Sequence, residues 1–183
     1  GLHFTPALLE TLRRDGIDAA CVTLHVGLDT FQPIREEIVE HHRIHREAYS
    51  VPAASLRTLR AARARGGRLV AVGTTATRVL ETVGGQGLLD GDHDDGGSRG
   101  IEGSTDIFIT PGYRFRAVDV LLTNFHLPHS SVLALVMAFA GHERIRDAYR
   151  EAIALRYRFF SFGDAMLMEI PRSDVSAPKE ARP

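Results

Sequence analysis

Six polar side chains that could bind a substrate or transfer a proton lie within nine residues, directly after a short apolar run. The run, residues 118–122, has the β-branched and leucine-rich composition of a buried strand. The polar residues that follow it are Thr123, Asn124, His126, His129, Ser130 and Ser131. A helix is predicted to begin near Val132, and ligands of α/β proteins bind where strand ends meet helix N-termini. The sequence therefore predicts a site centred on Asn124, Phe125 and His126.

A glycine-threonine turn forms a second candidate binding element. Gly73, Thr74 and Thr75 follow a predicted strand, residues 68–72, and begin a predicted helix that carries Arg78. Backbone N–H groups at a helix N-terminus favour anions, so the turn suits a carboxylate, a phosphate or a ribose hydroxyl. Many connections between a strand and a helix have such a turn for packing alone, and both interpretations stay open.

Two charged residues occur in the last apolar segment of the chain. Arg158 and Asp164 lie within residues 158–168, a segment whose composition predicts burial. A buried charge is costly unless it is paired. We therefore expect Arg158 and Asp164 to form either a structural ion pair or part of the site.

Histidines supply further candidates. His25 lies at the end of a predicted strand, and period-two spacing places His45, Glu47 and Tyr49 on one face of another extended segment. Zinc binding is the alternative role for the histidines at positions 25, 45, 126 and 129, but their spacing matches no compact zinc-ligand motif. No metal is predicted. The single cysteine, Cys21, is interpreted as a small buried core residue, with a nucleophile as the alternative.

Composition restricts the class of protein. The chain has 183 residues, 44% hydrophobic content and a formal net charge of −1, which predicts one globular domain and argues against a uniformly basic nucleic-acid binder. No membrane span or secretory signal is evident, and one cysteine fits a reducing cytoplasm. The chain begins at Gly1, within what looks like a motif, so we expect a fragment. The oligomeric state stays open.

The order of the predicted elements favours an α/β fold. Strands and helices alternate four or five times, which predicts a largely parallel sheet, open or barrel-like, with flanking helices. Strands are predicted at residues 19–26, 68–72, 105–110 and 118–122. A glycine- and aspartate-rich stretch, residues 84–103, is interpreted as a mobile surface loop, and residues 172–183 as a polar tail.

One predicted helix, residues 53–65, carries arginines on one side. Arg57, Arg60 and Arg63 could contact the phosphates of a nucleic acid. The alternative is a solvated helix face in an arginine-rich and alanine-rich sequence.

Six motifs in order resemble those of one enzyme family, the S-adenosylmethionine:tRNA ribosyltransferase-isomerases of queuosine biosynthesis. They are residues 24–31 (LHVGLDTF), 45–47 (HRE), 72–75 (VGTT) with Arg78 and Glu81, 108–113 (FITPGY), 123–128 (TNFHLP) and 157–166 (YRFFSFGDAM). The resemblance covers nearly all of residues 1–170.

The resemblance implies an enzyme that transfers and isomerises the ribosyl group of S-adenosylmethionine. The acceptor would be 7-aminomethyl-7-deazaguanine in tRNA, and the products would be epoxyqueuosine, adenine and methionine. S-adenosylmethionine would be a co-substrate, with no cofactor. The implied catalytic residues are His126, as base or proton donor, Asn124 and Asp164. The implied substrate-binding residues are His25, His45, Glu47, Gly73, Thr74, Thr75, Arg78, Tyr113, Thr123 and Arg158.

The chain also departs from the family it resembles. Asp29 stands where the family usually has glycine, and Ile44 and Ala134 stand where methionine is more familiar. Family enzymes are about twice as long, so residues 1–171 would be the C-terminal part of the larger α/β catalytic domain. An N-terminal part and an inserted β-barrel domain would be absent. The alternative function is therefore a non-catalytic binding module, or an S-adenosylmethionine-using paralogue that no longer modifies tRNA.

Overall fold

The computed structural model describes residues 3–27, 44–90 and 99–170. The helices in these ranges are α1 (Pro6–Arg14), α2 (Ala53–Ala64), α3 (Thr74–Gly85), α4 (Ser131–Ala140) and α5 (His142–Ala154), with a short 3-10 helix at Phe160–Phe162. The strands are β1 (Thr23–Leu24), β2 (Glu47–Val51), β3 (Val70–Val72), β4 (Ile101–Thr105), β5 (Val120–Asn124) and β6 (Ala165–Glu169). No helix in these ranges is long and apolar enough to cross a membrane.

The strands form two small sheets instead of one largely parallel sheet. The first has the order β1-β2-β4, and both of its pairings are antiparallel. The second has the order β3-β5-β6, where β3 and β5 are parallel and β6 is antiparallel to β5. The predicted open or barrel-like parallel sheet is therefore wrong for the described residues. Alternation of strands and helices does not encode strand direction, because a chain that follows a helix can enter a sheet either way.

The strand predicted at residues 105–110 is wrong except at its first residue, because β4 is Ile101–Thr105. Strand β4 lies at the end of the predicted loop 84–103, whereas residues 106–110 are not a strand. Residues 102–104 of β4 lack the apolar pattern of a buried strand, and pairing with β2 places Gly103 opposite Tyr49. A Cβ atom at Gly103 would come within 2.7 Å of the Tyr49 hydroxyl, so the tyrosine lies across the glycine on the paired strand. Residues 84 and 85 of the predicted loop belong to α3 instead. Residues 91–98 of that loop and the predicted tail, residues 172–183, lie outside the described residues.

Helix α3 is at the centre of the larger hydrophobic cluster. Its apolar residues Val79, Leu80 and Val83 are buried at the spacing of one helical face, together with Leu121 of β5. The helix contacts both sheets and α4. Residues at the N-terminal end of α3 are therefore positioned by the core as well as by their own backbone.

A smaller cluster supports the carboxyl end of β5. Phe125, Tyr149 and Phe159 pack against one another with ring centroids 5.1–5.6 Å apart. The prediction that residues 158–168 are buried is wrong for much of that segment, since Arg158 and Phe162 are exposed. Both residues lie in the irregular segment between α5 and β6. The alternation of buried and exposed side chains that is typical of a strand does not apply there.

Cys21 is another residue whose predicted environment is wrong. It is a free, exposed cysteine, outside the two-residue strand β1. Its backbone N–H donates to the Ser55 hydroxyl at 3.0 Å, so the segment is fastened to α2 by a side chain instead of by a sheet partner.

Candidate active site

The two predicted binding elements lie at one edge of the second sheet. Because β3 and β5 are parallel, their carboxyl ends meet, and the Gly73 N–H donates to the Leu122 carbonyl at 2.8 Å. Gly73 has φ +92, a conformation that favours glycine, and it directs the chain into α3. Thr74 and Thr75 then form the first turn of the helix.

His126 is held by contacts to its side chain and to its backbone. Its Nε2 lies 2.8 Å from Oγ1 of Thr123, which is buried on β5. Its backbone N–H donates to the Tyr149 hydroxyl at 2.6 Å, and that hydroxyl donates to the His126 carbonyl. Burial lowers the pKa of His126 to about 4. The imidazole is therefore neutral near pH 7.

Asn124 connects three parts of the chain. Its Nδ2 donates to the Asp164 carbonyl at 3.3 Å and lies 3.1 Å from Nε2 of His3. The Asp164 carboxylate accepts hydrogen bonds from the backbone N–H of Arg158 at 2.5 Å and from Arg158 Nε at 3.4 Å. These bonds, the backbone one above all, hold the pKa of Asp164 below its ordinary value. The expected pairing of Arg158 with Asp164 is present, although Arg158 is at the surface.

The structure divides the predicted catalytic residues into two groups. Thr123 is hydrogen-bonded to His126, whereas Asn124 is hydrogen-bonded to the backbone of Asp164. Thr123 and Asn124 are consecutive on β5, and consecutive strand residues point to opposite faces of a sheet. No hydrogen bond within the described ranges joins His126 to Asp164. Their action in one pocket stays a prediction.

Glu47 and Arg78 form a buried ion pair beside the first turns of α3. Their side chains are only 3% and 6% exposed. Glu47 Oε1 accepts from the Gly27 N–H at 2.8 Å, and Arg78 Nε donates to the Ile107 carbonyl at 3.3 Å. Arg78 Nη2 is buried and has no hydrogen-bond partner in the described part of the chain. The pair thus ties four segments together, and Nη2 keeps donor capacity for a further acceptor.

The other predicted binding residues are more dispersed. His25 is exposed, and its backbone N–H donates to the Ala48 carbonyl at 2.8 Å. His45 is exposed and precedes β2, whereas Glu47 and Tyr49 are both buried on that strand. Asp29 lies outside the described residues.

Tyr113 is bound to a buried carboxylate. Its hydroxyl donates to Glu81 Oε2 at 3.0 Å, and the same carboxylate accepts from the backbone N–H groups of Arg116, Ala117 and Val118 at 2.9–3.0 Å. Burial raises the pKa of Tyr113, and the Glu81 charge adds to this effect. Glu81 therefore fixes the segment that leads into β5, and Tyr113 belongs to that structural contact.

Arg60 and Arg63, which were candidate phosphate-binding residues, bond to other parts of the chain. Arg60 Nε donates to the Leu88 carbonyl at 3.0 Å, and Arg63 pairs with Asp90 at 2.8 Å. These contacts fasten α2 to the segment after α3. They favour a structural role over phosphate binding for Arg60 and Arg63.

Two polar residues near the β5 end were missed from the sequence. His3 contacts Asn124 although 121 positions separate the two residues in the sequence. The only sequence signal near His3 is the helix start at Thr5 and Pro6. Tyr149 had a usable signal, because it lies four residues after Ile145 and three before Ala152, the buried residues of α5. A hydroxyl on a buried helix face requires a hydrogen-bond partner.

Within residues 3–27, 44–90 and 99–170, no three histidine, cysteine, aspartate or glutamate side chains are grouped so that they could hold a metal ion.

Comparison with known proteins identifies the family. A model of the family described as queuosine biosynthesis protein matches residues 1–168. This chain belongs to that family. Two relatives named S-adenosylmethionine:tRNA ribosyltransferase-isomerase, from Moorella thermoacetica and Thiobacillus denitrificans, are each 56% identical over 92% of this chain. Those matches cover 47% and 46% of the relatives, so the chain spans about half of their length.

A solved structure agrees with this family assignment. The crystal structure of S-adenosylmethionine tRNA ribosyltransferase from Thermotoga maritima matches with a TM-score of 0.68 and 46% identity. The match covers 90% of this chain and 49% of that one. The resemblance drawn from the six motifs is confirmed.

The buried imidazole of this queuosine-family chain makes its stability depend on pH. The pKa of His126 is about 4 in the folded chain, against an ordinary value of 6.5. Between these values the unfolded chain binds the extra proton, so the free energy of unfolding falls as pH falls from 6.5 to 4. The loss is at most about 3 kcal/mol. Urea unfolding across this pH range measures it, and His126→Gln should lack this part of the slope. An equal slope in both proteins would contradict the assignment.

Tyr149→Phe is expected to destabilise the chain by about 1–3 kcal/mol, because it leaves the backbone N–H of His126 without its acceptor. Urea unfolding measures the change. Tyr157→Phe is the matched control, since its ring also packs on Phe125 while the residue is 45% exposed. Equal unfolding midpoints for the two variants would show that the Tyr149 hydroxyl contributes nothing.

Proposed function

We propose that this chain takes part in the transfer and isomerisation of the ribosyl group of S-adenosylmethionine onto 7-aminomethyl-7-deazaguanine in tRNA. The products would be epoxyqueuosine, adenine and methionine. The proposal rests on family membership together with one structural observation, a neutral His126 that is hydrogen-bonded to Thr123 at the carboxyl end of β5. Residues 1–171 would form the C-terminal part of the catalytic domain, acting on tRNA in the cytoplasm.

The edge where β3 and β5 end suits the charges of S-adenosylmethionine. The first N–H groups of α3 have no partner within the helix, and they favour the methionine carboxylate. The hydroxyl of Thr75 is exposed at the same turn and can donate to that carboxylate. Arg78 lies one turn further along α3, but its pairing with Glu47 makes it a structural support for this turn.

The chemistry requires a group that can accept or deliver a proton. A sulfonium centre acidifies the neighbouring 5′ carbon, and removal of that proton is the expected first step. His126 is neutral and therefore free to act as a base. A pKa of about 4 makes it a weak base in the ligand-free chain, and a bound carboxylate nearby would raise its pKa toward neutrality. Asn124 would position the substrate, and Asp164 would keep Arg158 in place.

Adenine release provides the direct test. The chain is incubated with S-adenosylmethionine and tRNA that carries 7-aminomethyl-7-deazaguanine, and adenine is separated by chromatography while nucleosides are identified by mass spectrometry. Adenine and epoxyqueuosine in equal amounts would support the proposal. The Thermotoga maritima enzyme serves as the positive control. Binding of S-adenosylmethionine without adenine release would favour the non-catalytic binding module instead.

A further inference from the structure

The side-chain amide of Asn124 has a fixed orientation. Its Nδ2 faces the backbone carbonyl of Asp164 at 3.3 Å, and β5 and β6 hold the two residues together because Asn124 pairs with Ala165. Rotating the amide by half a turn would bring Oδ1 against that carbonyl, which places two acceptors in contact. The Nδ2 group must therefore remain the donor on this side.

This orientation determines the protonation of His3. The same Nδ2 lies 3.1 Å from Nε2 of His3, and an amide N–H can be accepted only by an unprotonated ring nitrogen. The proton of the neutral imidazole is then on Nδ1. No hydrogen-bond partner for Nδ1 occurs in the described part of the chain, so this N–H is available to a ligand.

The start of α1 holds His3 in position. Thr5 caps the helix, with its Oγ1 accepting from the Leu8 N–H at 3.2 Å, and Pro6 occupies the first turn. The cap restricts the backbone just after His3. An imidazole beside a capped helix loses less conformational freedom on forming a contact than one on an unrestrained terminus.

We propose that His3 is a ligand-binding residue of the β5 end, held by Asn124 as the Nδ1–H tautomer so that Nδ1–H donates to an acceptor atom of the adenosyl ligand. The inference rests on the proposed function for the identity of that ligand. The acceptor is either a ring nitrogen of the adenine base or an oxygen of the methionine carboxylate, since both accept an N–H. Asn124 thereby acts as a positioning residue for His3.

The tautomer can be measured without any catalytic activity. Long-range ¹H–¹⁵N correlation spectra of the 183-residue chain distinguish Nδ1–H from Nε2–H, and the His3→Gln spectrum identifies the His3 signal by its loss. We expect Nδ1–H in the unsubstituted chain. Asn124→Asp should reverse the preference, because a carboxylate can only accept a hydrogen bond, so Nε2 must carry the proton that it donates. A predominant Nε2–H form in the unsubstituted chain would overturn the inference.

Binding experiments identify the acceptor. S-adenosylmethionine, adenine and methionine are titrated separately while the His3 signals are followed. A shift of Nδ1–H with adenine assigns the base, a shift with methionine assigns the carboxylate, and no shift with any of the three overturns the ligand assignment.

A variant comparison separates this inference from the proposed function. His3→Ala should weaken S-adenosylmethionine binding by about tenfold, the effect of losing one hydrogen bond of about 1.4 kcal/mol. His142→Ala is the control, since His142 is exposed on α5 and pairs with Glu143. Weaker binding only in His3→Ala, with no adenine release by the unsubstituted chain, would leave the His3 assignment standing and refute the proposed reaction. Equal affinity in both variants would overturn the His3 assignment.

Discussion

Arg78→Met is expected to destabilise the chain by about 3–5 kcal/mol, because it removes the positive charge that is paired with the buried Glu47 carboxylate. Both side chains are almost fully buried, and each also bonds the backbone of another segment. The loss would therefore disturb the contacts of Gly27 and Ile107 as well. Denaturant unfolding of the variant and the unsubstituted chain measures the difference.

A second substitution tests whether the stranded charge is the cause. Glu47→Gln keeps an oxygen that can accept from the Gly27 N–H but removes the negative charge. The double variant, Glu47→Gln with Arg78→Met, should recover most of the lost stability, since replacing both members of a buried pair is often nearly neutral. Arg13→Met breaks an exposed pair with Glu10 and should cost no more than about 1 kcal/mol. Additive losses in the double variant would refute this explanation.

Helices were predictable because their signals are local. The predicted helix 53–65 corresponds to α2 at Ala53–Ala64, and the helix expected near Val132 begins at Ser131. Helix α2 has an apolar period of 3.6 and follows Pro52, whereas α4 is apolar on all sides and is bounded by Ser130 and Gly141. The start of α3 after Gly73 was predictable for the same reason.

Strand pairing was not predictable in the same way. The direction of β6 relative to β5 depends on the path of residues 155–164, which has no regular period. Strand β4 contains Glu102, Gly103 and Ser104 and looks like a loop, yet five of its residues pair with β2. Its stability comes from pairing with β2, which lies at least fifty residues away. The residues around β4 therefore give no sequence signal of this pairing.

The same difference between local signals and contacts of distant segments applies to the candidate site. Asn124 and His126 were found because polar residues after an apolar run mark a strand end. The contact of His3 with Asn124 and that of Tyr149 with His126 join distant segments, so no spacing rule could reveal them. Arg78 was predicted as a substrate ligand from its position on α3, whereas its burial with Glu47 could be seen only in the folded chain.

His126→Ala is expected to reduce adenine release by roughly 10²–10⁴-fold, the usual loss when a general acid or base is removed. Affinity for S-adenosylmethionine should change little, because the proposed contacts of the ligand are with the N-terminus of α3 and with His3. The rate is compared under saturating S-adenosylmethionine, and affinity is measured separately by calorimetry, so that a loss of turnover is distinguished from a loss of binding. His142→Ala serves again as the exposed histidine control.

The alternative explanation for a slow His126→Ala variant is a disturbed strand end, since Thr123 would lose its hydrogen-bond partner. His126→Gln addresses this, because a glutamine amide can still bond the Thr123 hydroxyl but cannot carry a proton between pH 4 and 9. If glutamine restores turnover, the imidazole only supports the strand, and proton transfer must be assigned to His3 or Asp164. If both variants are slow while the unfolding midpoint of His126→Gln is unchanged, the missing function is proton transfer itself, which requires the neutral imidazole that burial produces at this position.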